Sequence, residues 1–112
     1  MKHFKLKEFA CPDCGADMMN ADFLTRLDFA RDNAGIPFKI NSGSRCKAHN
    51  RAIGASSTSS HPDGHACDIE CVGSRSRFLI IDSLLKAGIT RIGIAETFIH
   101  ADNDPQKEPN VI

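Results

Sequence analysis

The spacing of apolar residues after position 20 predicts a first helix. Asn20 or Asp22 can cap its start, and Gly35 follows its last residue, Ala34, as a stop signal. Between these limits apolar residues recur at intervals of three or four, which is the period of a helix with one buried face. The apolar residues are Leu24, Leu27, Ala30 and Ala34.

A second helix is predicted by the same kind of pattern further along the chain. It begins at Ser74 or Ser76, either of which can act as a cap, and it continues through Lys86 until Gly88 ends it. Its apolar residues form one stripe that should face the core. The stripe comprises Phe78, Ile81, Leu84 and Leu85.

Extended segments and a loop separate these two helices. We expect a short strand over 37–41, a short helix over 45–53, and a loop over 54–64, where the sequence has no hydrophobic period. Residues 65–71 alternate as a strand does, which places Asp68 on the face opposite the neighbouring cysteines.

A last strand is predicted over 91–102, and one of its faces changes character along its length. That face begins apolar and ends in a histidine and an aspartate. Its residues are Ile92, Ile94, Glu96, Phe98, His100 and Asp102. Two or three helices among short strands, without regular βαβ alternation, predict a single α+β domain over 1–112 with a small, mainly antiparallel sheet.

Composition narrows the classes of function. The 112 residues carry a formal net charge of zero, so we expect no binding to nucleic acid. The N-terminal segment lacks the apolar run of a secretion signal, and the longest apolar run, 78–81, is too short to span a bilayer. We therefore expect a chain that is synthesised in the cytoplasm without a membrane anchor, and we favour a monomer.

The five cysteines indicate thiols or metal ligands before disulfides, because their number is odd and no secretion signal is present. Cys11 and Cys14 enclose a tight turn, which is half of a zinc knuckle. A second pair with this spacing is absent from the sequence. A structural zinc at this pair is therefore the less favoured interpretation, and buried or free thiols are the favoured one.

His61, Asp68 and His100 are the candidate metal ligands. A loop histidine, a strand aspartate and a histidine near a strand end can approach one ion from three directions. Two imidazoles and a carboxylate suit a catalytic zinc, which keeps its fourth position for water. Periodicity alone leaves an alternative of equal weight, in which the three residues have no shared role.

The residues around this set follow a longer pattern. Positions 59–68 read SSHPDGHACD and fit S-x-H-x-x-G-x-A-x-D at every specified place, while SGSR precedes them at 42–45 and FIH follows at 98–100. In these segments the chain resembles the zinc D-alanyl-D-alanine carboxypeptidase-like family. That family includes carboxypeptidases, dipeptidases and phage or bacterial endopeptidases of peptidoglycan, and it shares its fold with hedgehog signalling domains. The resemblance extends from about Phe4 to the C-terminus.

The resemblance implies a reaction and roles for named residues. His61, Asp68 and His100 would bind one catalytic zinc. Arg45 would bind the carboxylate or carbonyl of the substrate, or it is a surface ion pair, and Ser59 would support substrate or ligands by hydrogen bonding. The enzyme would hydrolyse a peptide bond in peptidoglycan stem or cross-link peptides. Its small size and lack of a signal look like a phage or prophage enzyme that acts at the bacterial cell wall.

The general base is where the sequence departs from the family. Members usually carry Glu or Asp three residues before the last histidine, and here that position is Thr97. Asp102, about 7 Å from His100 along a strand, and Glu96, about twice as far, are the candidates on the same predicted face. Each could instead orient His100 or be a solvated charge. The competing interpretation is a non-catalytic zinc-holding module, such as a phage tail or assembly component.

Overall fold

A computed structural model describes residues 3–11, 19–43, 64–103 and 110–111 of the chain. Within these ranges a short 3₁₀ helix precedes two α-helices and five β-strands. In chain order the elements are the 3₁₀ helix Leu6–Phe9, α1 Ala21–Ala34, β1 Ile40–Ser42, β2 Ala66–Glu70, α2 Ser74–Lys86, β3 Arg91–Ile94, β4 Phe98–Asp102 and β5 Asn110–Val111. None of the helices in these ranges has the length and hydropathy needed to cross a bilayer.

The described strands form one sheet in the order β1-β2-β4-β3-β5. Neighbouring strands are antiparallel, except that β3 and β5 are parallel. The predicted α+β class with a mainly antiparallel sheet is confirmed. The strand predicted over 37–41 is displaced to Ile40–Ser42. The helix predicted over 45–53 and almost all of the loop predicted over 54–64 lie outside the described residues.

Helix α1 begins and ends where the sequence predicts. The side chain of Asn20 accepts a hydrogen bond from the backbone N–H of Phe23 at 3.0 Å. Gly35 ends the helix in the left-handed conformation, with a φ of 71°. Such caps satisfy backbone groups that have no partner within the helix. The predicted apolar stripe is buried.

Helix α2 has the predicted bounds and buries part of the predicted stripe. Leu84 is buried and Ile81 packs against the core, as predicted, whereas Phe78 and Leu85 are 58% and 44% exposed and Ile80 is buried in their place. Positions 80, 84 and 87 and positions 78, 81 and 85 both recur at helical spacing, so periodicity does not decide between the two faces. Packing against α1 and β4 selects the first set. No described side chain caps the first turn, in contrast to the predicted serine cap.

The prediction of a single strand over 91–102 is wrong, because the chain forms a hairpin there. Residues 95–97 make the turn between β3 and β4. Arg77 of α2 holds this turn by donating hydrogen bonds to the backbone carbonyls of Ala95, at 2.7 Å, and Glu96, at 3.0 Å. The turn carries no glycine, proline, asparagine or aspartate, which are the residues that mark turns in a sequence.

The hairpin changes which residues share a face. Ile92 lies opposite Ala101, and Gly93 lies opposite His100. Ile92 and Ala101 are buried. The prediction that Ile92 shares a face with His100 is therefore wrong, because the alternation of side chains restarts after a turn.

The hydrophobic core lies between the sheet and the two α-helices. Cys67 and Ile69 of β2 and Ile99 and Ala101 of β4 belong to one cluster with buried residues of both helices. Because successive side chains of a strand point to opposite faces, the residues between them project from the other side of the sheet. On β2 and β4 this second side carries polar residues, and it is the side of the candidate site.

Gly43 lies where the chain leaving β1 passes the 3₁₀ helix. A Cβ atom at this position would be 2.6 Å from the Cα of Phe9 and 2.8 Å from its carbonyl oxygen. A side-chain carbon cannot lie that close to backbone atoms unless one of the two segments moves. This contact gives a structural reason for the glycine of the SGSR segment.

We expect Gly43→Ala to lower the free energy of unfolding by about 2 kcal/mol, because the added carbon overpacks two backbone segments. Gly35→Ala is the matched control, since no described atom lies within 4 Å of a Cβ there and only the positive φ opposes a side chain. It should lose about 1 kcal/mol. Urea denaturation followed by circular dichroism measures both, and a smaller loss for Gly43→Ala than for Gly35→Ala would contradict the close approach.

Candidate functional site

Asp68 of β2 and His100 of β4 lie directly opposite each other in the sheet. The Nδ1 atom of His100 and the Oδ1 atom of Asp68 are 3.0 Å apart. The two side chains are 29% and 17% exposed, respectively. Two of the three predicted metal ligands are therefore together, at a position that solvent reaches.

Asp102 contacts the other ring nitrogen of His100. Its Oδ2 atom is 2.7 Å from Nε2, and its Oδ1 atom accepts a hydrogen bond from the Nε of Arg91 at 3.0 Å. The Asp102 side chain is only 3% exposed. Its carboxylate has therefore lost most of its hydration, and the two contacts compensate for that loss. The four side chains form a continuous line across β3, β4 and β2, from Arg91 to Asp68.

Gly93 provides room for the imidazole ring. It is the β3 residue opposite His100, and a Cβ atom there would lie 3.2 Å from the Cβ of His100 and 3.9 Å from its Cδ2. On the other neighbouring strand, Ala66 lies opposite Asp102. Small residues thus flank the histidine and the aspartate.

Two carboxylates govern the protonation of His100. Burial alone would lower the pKa of His100, but its hydrogen bonds to Asp102 and Asp68 and the charges of both raise this pKa to about 9. In the metal-free chain at neutral pH the ring is therefore a cation that donates from both nitrogens. A metal that binds Nδ1 must displace the proton there.

The described cysteines do not take part in this site. Burial, together with the charges of Asp68 and Asp102, raises the pKa of the Cys67 thiol, so it stays protonated. Cys67 and Cys71 are buried. Cys11 is buried too, and Cys14 lies outside the described residues, so a second zinc at this pair stays a prediction.

The donor atoms of Asp68 and His100 suit a zinc ion. Ligands of a tetrahedral zinc lie about 2.0–2.2 Å from the metal and hence roughly 3.3 Å from each other, close to the 3.0 Å between Nδ1 and Oδ1. A carboxylate on the far nitrogen of a ligating histidine, as Asp102 provides, is the usual support for such a ligand. The described ranges contain no group of three side chains that could hold a metal, and the third predicted ligand, His61, lies outside them.

The remaining predicted site residues are not brought to this line. Arg45 and Ser59 lie outside the described residues. Glu96 is exposed and lies in the turn between β3 and β4, not on the strand face of His100 where the sequence suggests it. The distance between Glu96 and His100 that the sequence suggests assumed one straight strand, so it does not apply to the hairpin.

Sequence reasoning missed Arg91 and Gly93. Both belong to β3 and reach the site only because β3 pairs with β4, with Arg91 opposite Asp102 and Gly93 opposite His100. When 91–102 is taken as one strand, this pairing cannot occur. A turn residue such as glycine or proline at 95–97 would have indicated the hairpin, and with it the places of Arg91 and Gly93, but the sequence has none there.

Comparison with known proteins bears on this arrangement. A family model described as Peptidase M15 matches residues 2–102. The match includes Asp68, His100 and Asp102, and it confirms the resemblance inferred from the SSHPDGHACD segment. None of the curated proteins is similar enough to the chain to count as a match.

In zinc-free protein we expect NMR titration to give His100 a pKa of about 9, and Asp68→Asn should lower that pKa by removing one negative partner. The sign for stability follows from the same shift. The unfolded ring titrates near 6.5, so the stabilisation from His100 is fully present below about pH 6.5 and is lost as the pH rises through about 9.

Urea denaturation of zinc-free protein across this interval measures the second effect. His100→Gln is the control, because the part of the pH dependence that it removes belongs to His100. A His100 resonance that titrates below pH 7 would contradict the contacts with the two carboxylates.

Proposed function

We propose that this chain, which belongs to the Peptidase M15 family because the family match covers most of its length, is a zinc-dependent peptidase that cleaves peptidoglycan. Its substrate would be a stem or cross-link peptide, cut in the manner of a carboxypeptidase or an endopeptidase. One observation carries the proposal. Nδ1 of His100 and Oδ1 of Asp68 converge to 3.0 Å on an accessible side of the sheet, with Asp102 behind the ring.

In this proposal Asp68 and His100 hold the metal together with His61. Zinc, when bound, polarises a peptide carbonyl and makes hydroxide available at neutral pH. Arg45 binds the carboxylate or carbonyl of the peptide, and Ser59 supports substrate or ligands by hydrogen bonding. The negative charges of Asp68 and Asp102 favour a divalent cation beside the ring, since each carboxylate is within hydrogen-bond distance of it.

The contacts of Asp102 support a positioning role over that of general base. A base must reach the water or the leaving group, but Asp102 is 3% exposed and contacts His100 and Arg91. Glu96 is exposed, and its backbone is held by Arg77. Asp102 is therefore proposed as a positioning residue, and Glu96, whose side chain the structure does not bring to the line from Arg91 to Asp68, is left as the candidate for proton transfer that the variant below tests.

The non-catalytic alternative draws support from Thr97. This residue occupies the position of the usual family carboxylate and lies, exposed, in the hairpin turn. A hydroxyl cannot take the proton that a carboxylate takes. If the chain holds zinc without cleaving peptides, it would be a binding or structural module of a phage tail or assembly.

The proposed substrate implies action at the bacterial cell wall, in keeping with the enzymes that the chain resembles. The resemblance to phage endopeptidases supports a phage or prophage origin.

We expect purified protein to carry about one zinc per chain and to release new amino termini from isolated peptidoglycan. Asp68→Ala and His100→Ala should lose both zinc and cleavage, because each removes a ligand. His3→Ala is the matched control, since His3 pairs with Asp32 of α1 at 3.0 Å and lies apart from the sheet site. Metal analysis and amino-terminus labelling measure the two results.

The outcomes of this experiment separate the proposals. Zinc without cleavage between about pH 6 and pH 9 would favour the module. A wild-type chain that takes up no zinc would overturn both.

We expect Glu96→Gln to reduce cleavage by about 100-fold or more while zinc content stays unchanged, because a general base contributes roughly 10²–10⁴-fold. Asp102→Asn should weaken zinc binding together with cleavage, since it alters the support of His100. Cleavage assays paired with metal analysis distinguish the two patterns. Full activity in Glu96→Gln would show that Glu96 is not the general base.

A further inference from the structure

We propose that Arg91 and Asp102 form a positioning pair that fixes the ring of His100 so that its Nδ1 faces Asp68 and the metal. The inference rests on the proposed zinc site and adds to it a residue, Arg91, that no sequence pattern singled out. Arg91 touches neither metal nor substrate in this scheme. The role that we propose for it is exerted through Asp102.

The burial of Asp102 is the first step. A carboxylate that is 3% exposed is stable in its charged form only when hydrogen bonds and an opposite charge compensate for lost water. The Nε of Arg91 supplies a charged hydrogen bond to Oδ1 at 3.0 Å, and the Arg91 side chain is itself only 20% exposed. Without Arg91 the buried carboxylate would lack this neighbouring positive charge, and its orientation toward His100 would be less well fixed.

The second step is the contact between Asp102 and the ring. Oδ2 lies 2.7 Å from Nε2 of His100, so the carboxylate accepts a hydrogen bond from Nε2–H. A proton held on Nε2 leaves the lone pair of a neutral imidazole on Nδ1. Nδ1 is the atom that lies 3.0 Å from Asp68. Asp102 therefore favours the tautomer whose ligating nitrogen faces Asp68.

The sheet makes this line rigid. Arg91 and Asp102 are opposite partners in β3 and β4, and Asp68 and His100 are opposite partners in β2 and β4. Each contact thus joins neighbouring strands, or residues two apart on one strand, on a single face. Backbone hydrogen bonds fix the separations of the strands, so the side chains have little freedom to adjust if one of them is replaced.

The first experiment measures zinc affinity by competition with a chromogenic chelator. Arg91→Gln should bind zinc about tenfold or more weakly, and Asp102→Asn at least as weakly, since such supporting residues typically contribute 10–100-fold. In the Asp102→Asn background, Arg91→Gln should change the affinity by less than about twofold, because the residue through which it acts is gone. Arg91→Lys should recover part of the loss by restoring charge.

Arg77→Gln is the matched control. Arg77 braces the same hairpin through the carbonyls of Ala95 and Glu96 but does not contact Asp102 or His100. It should lower stability and leave the zinc affinity of the folded chain unchanged. Equal losses of affinity in Arg77→Gln and Arg91→Gln would show that Arg91 only supports the hairpin, and would overturn the proposal.

The second experiment needs no zinc. In metal-free wild-type protein the Nε2–H proton of His100 should give a slowly exchanging NMR signal, which Asp102→Asn removes and Arg91→Gln shifts or broadens. A signal that is unaffected by Arg91→Gln, or an unchanged zinc affinity in that variant, would overturn the proposal. If the wild type binds no zinc but the signal depends on Arg91, the zinc peptidase proposal fails and the positioning pair stands.

Discussion

The antiparallel pairing of β2 with β4 is the constraint on which the rest of this structure depends. Its register places Asp68 opposite His100 on one face and Cys67 opposite Ala101 on the other. A slip of one residue would exchange the two faces, which would bury the histidine and expose the apolar residues. Burial of the core therefore holds the register, and the register in turn brings the two polar residues within 3.0 Å of each other.

The two sides of the sheet thus differ in composition and in role. The side that packs on α1 and α2 is apolar and supplies the free energy of burial. The other side carries a charged line from Arg91 through Asp102 and His100 to Asp68. Such a line is costly to build without its partners, because each buried charge must be compensated by the next. A metal bound at its accessible end would be held by residues whose positions the fold has already fixed.

Local signals predicted much of the framework. Asn20 and Gly35 bound α1 because capping is decided within a few residues, and the alternation around Asp68 predicted both faces of β2 for the same reason. The family resemblance rested on the SSHPDGHACD segment and was confirmed. The buried face of α2 was predicted only in part, with Leu84 buried but Phe78 and Leu85 exposed, because two apolar stripes have helical spacing and only packing against α1 and β4 distinguishes them.

The sequence by itself determined the class of the fold, the bounds of both helices, the family, and the choice of Asp68 and His100 as site residues. Only the tertiary structure decided that 91–102 folds back on itself, and with it that Arg91 and Gly93 lie beside His100. It also decided that Asp102 is buried between a guanidinium and an imidazole. The physical reason is that strand pairing joins residues through backbone hydrogen bonds, which every residue type except proline can make in full. A single sequence therefore shows which face of a strand is apolar but little of which strand it pairs with.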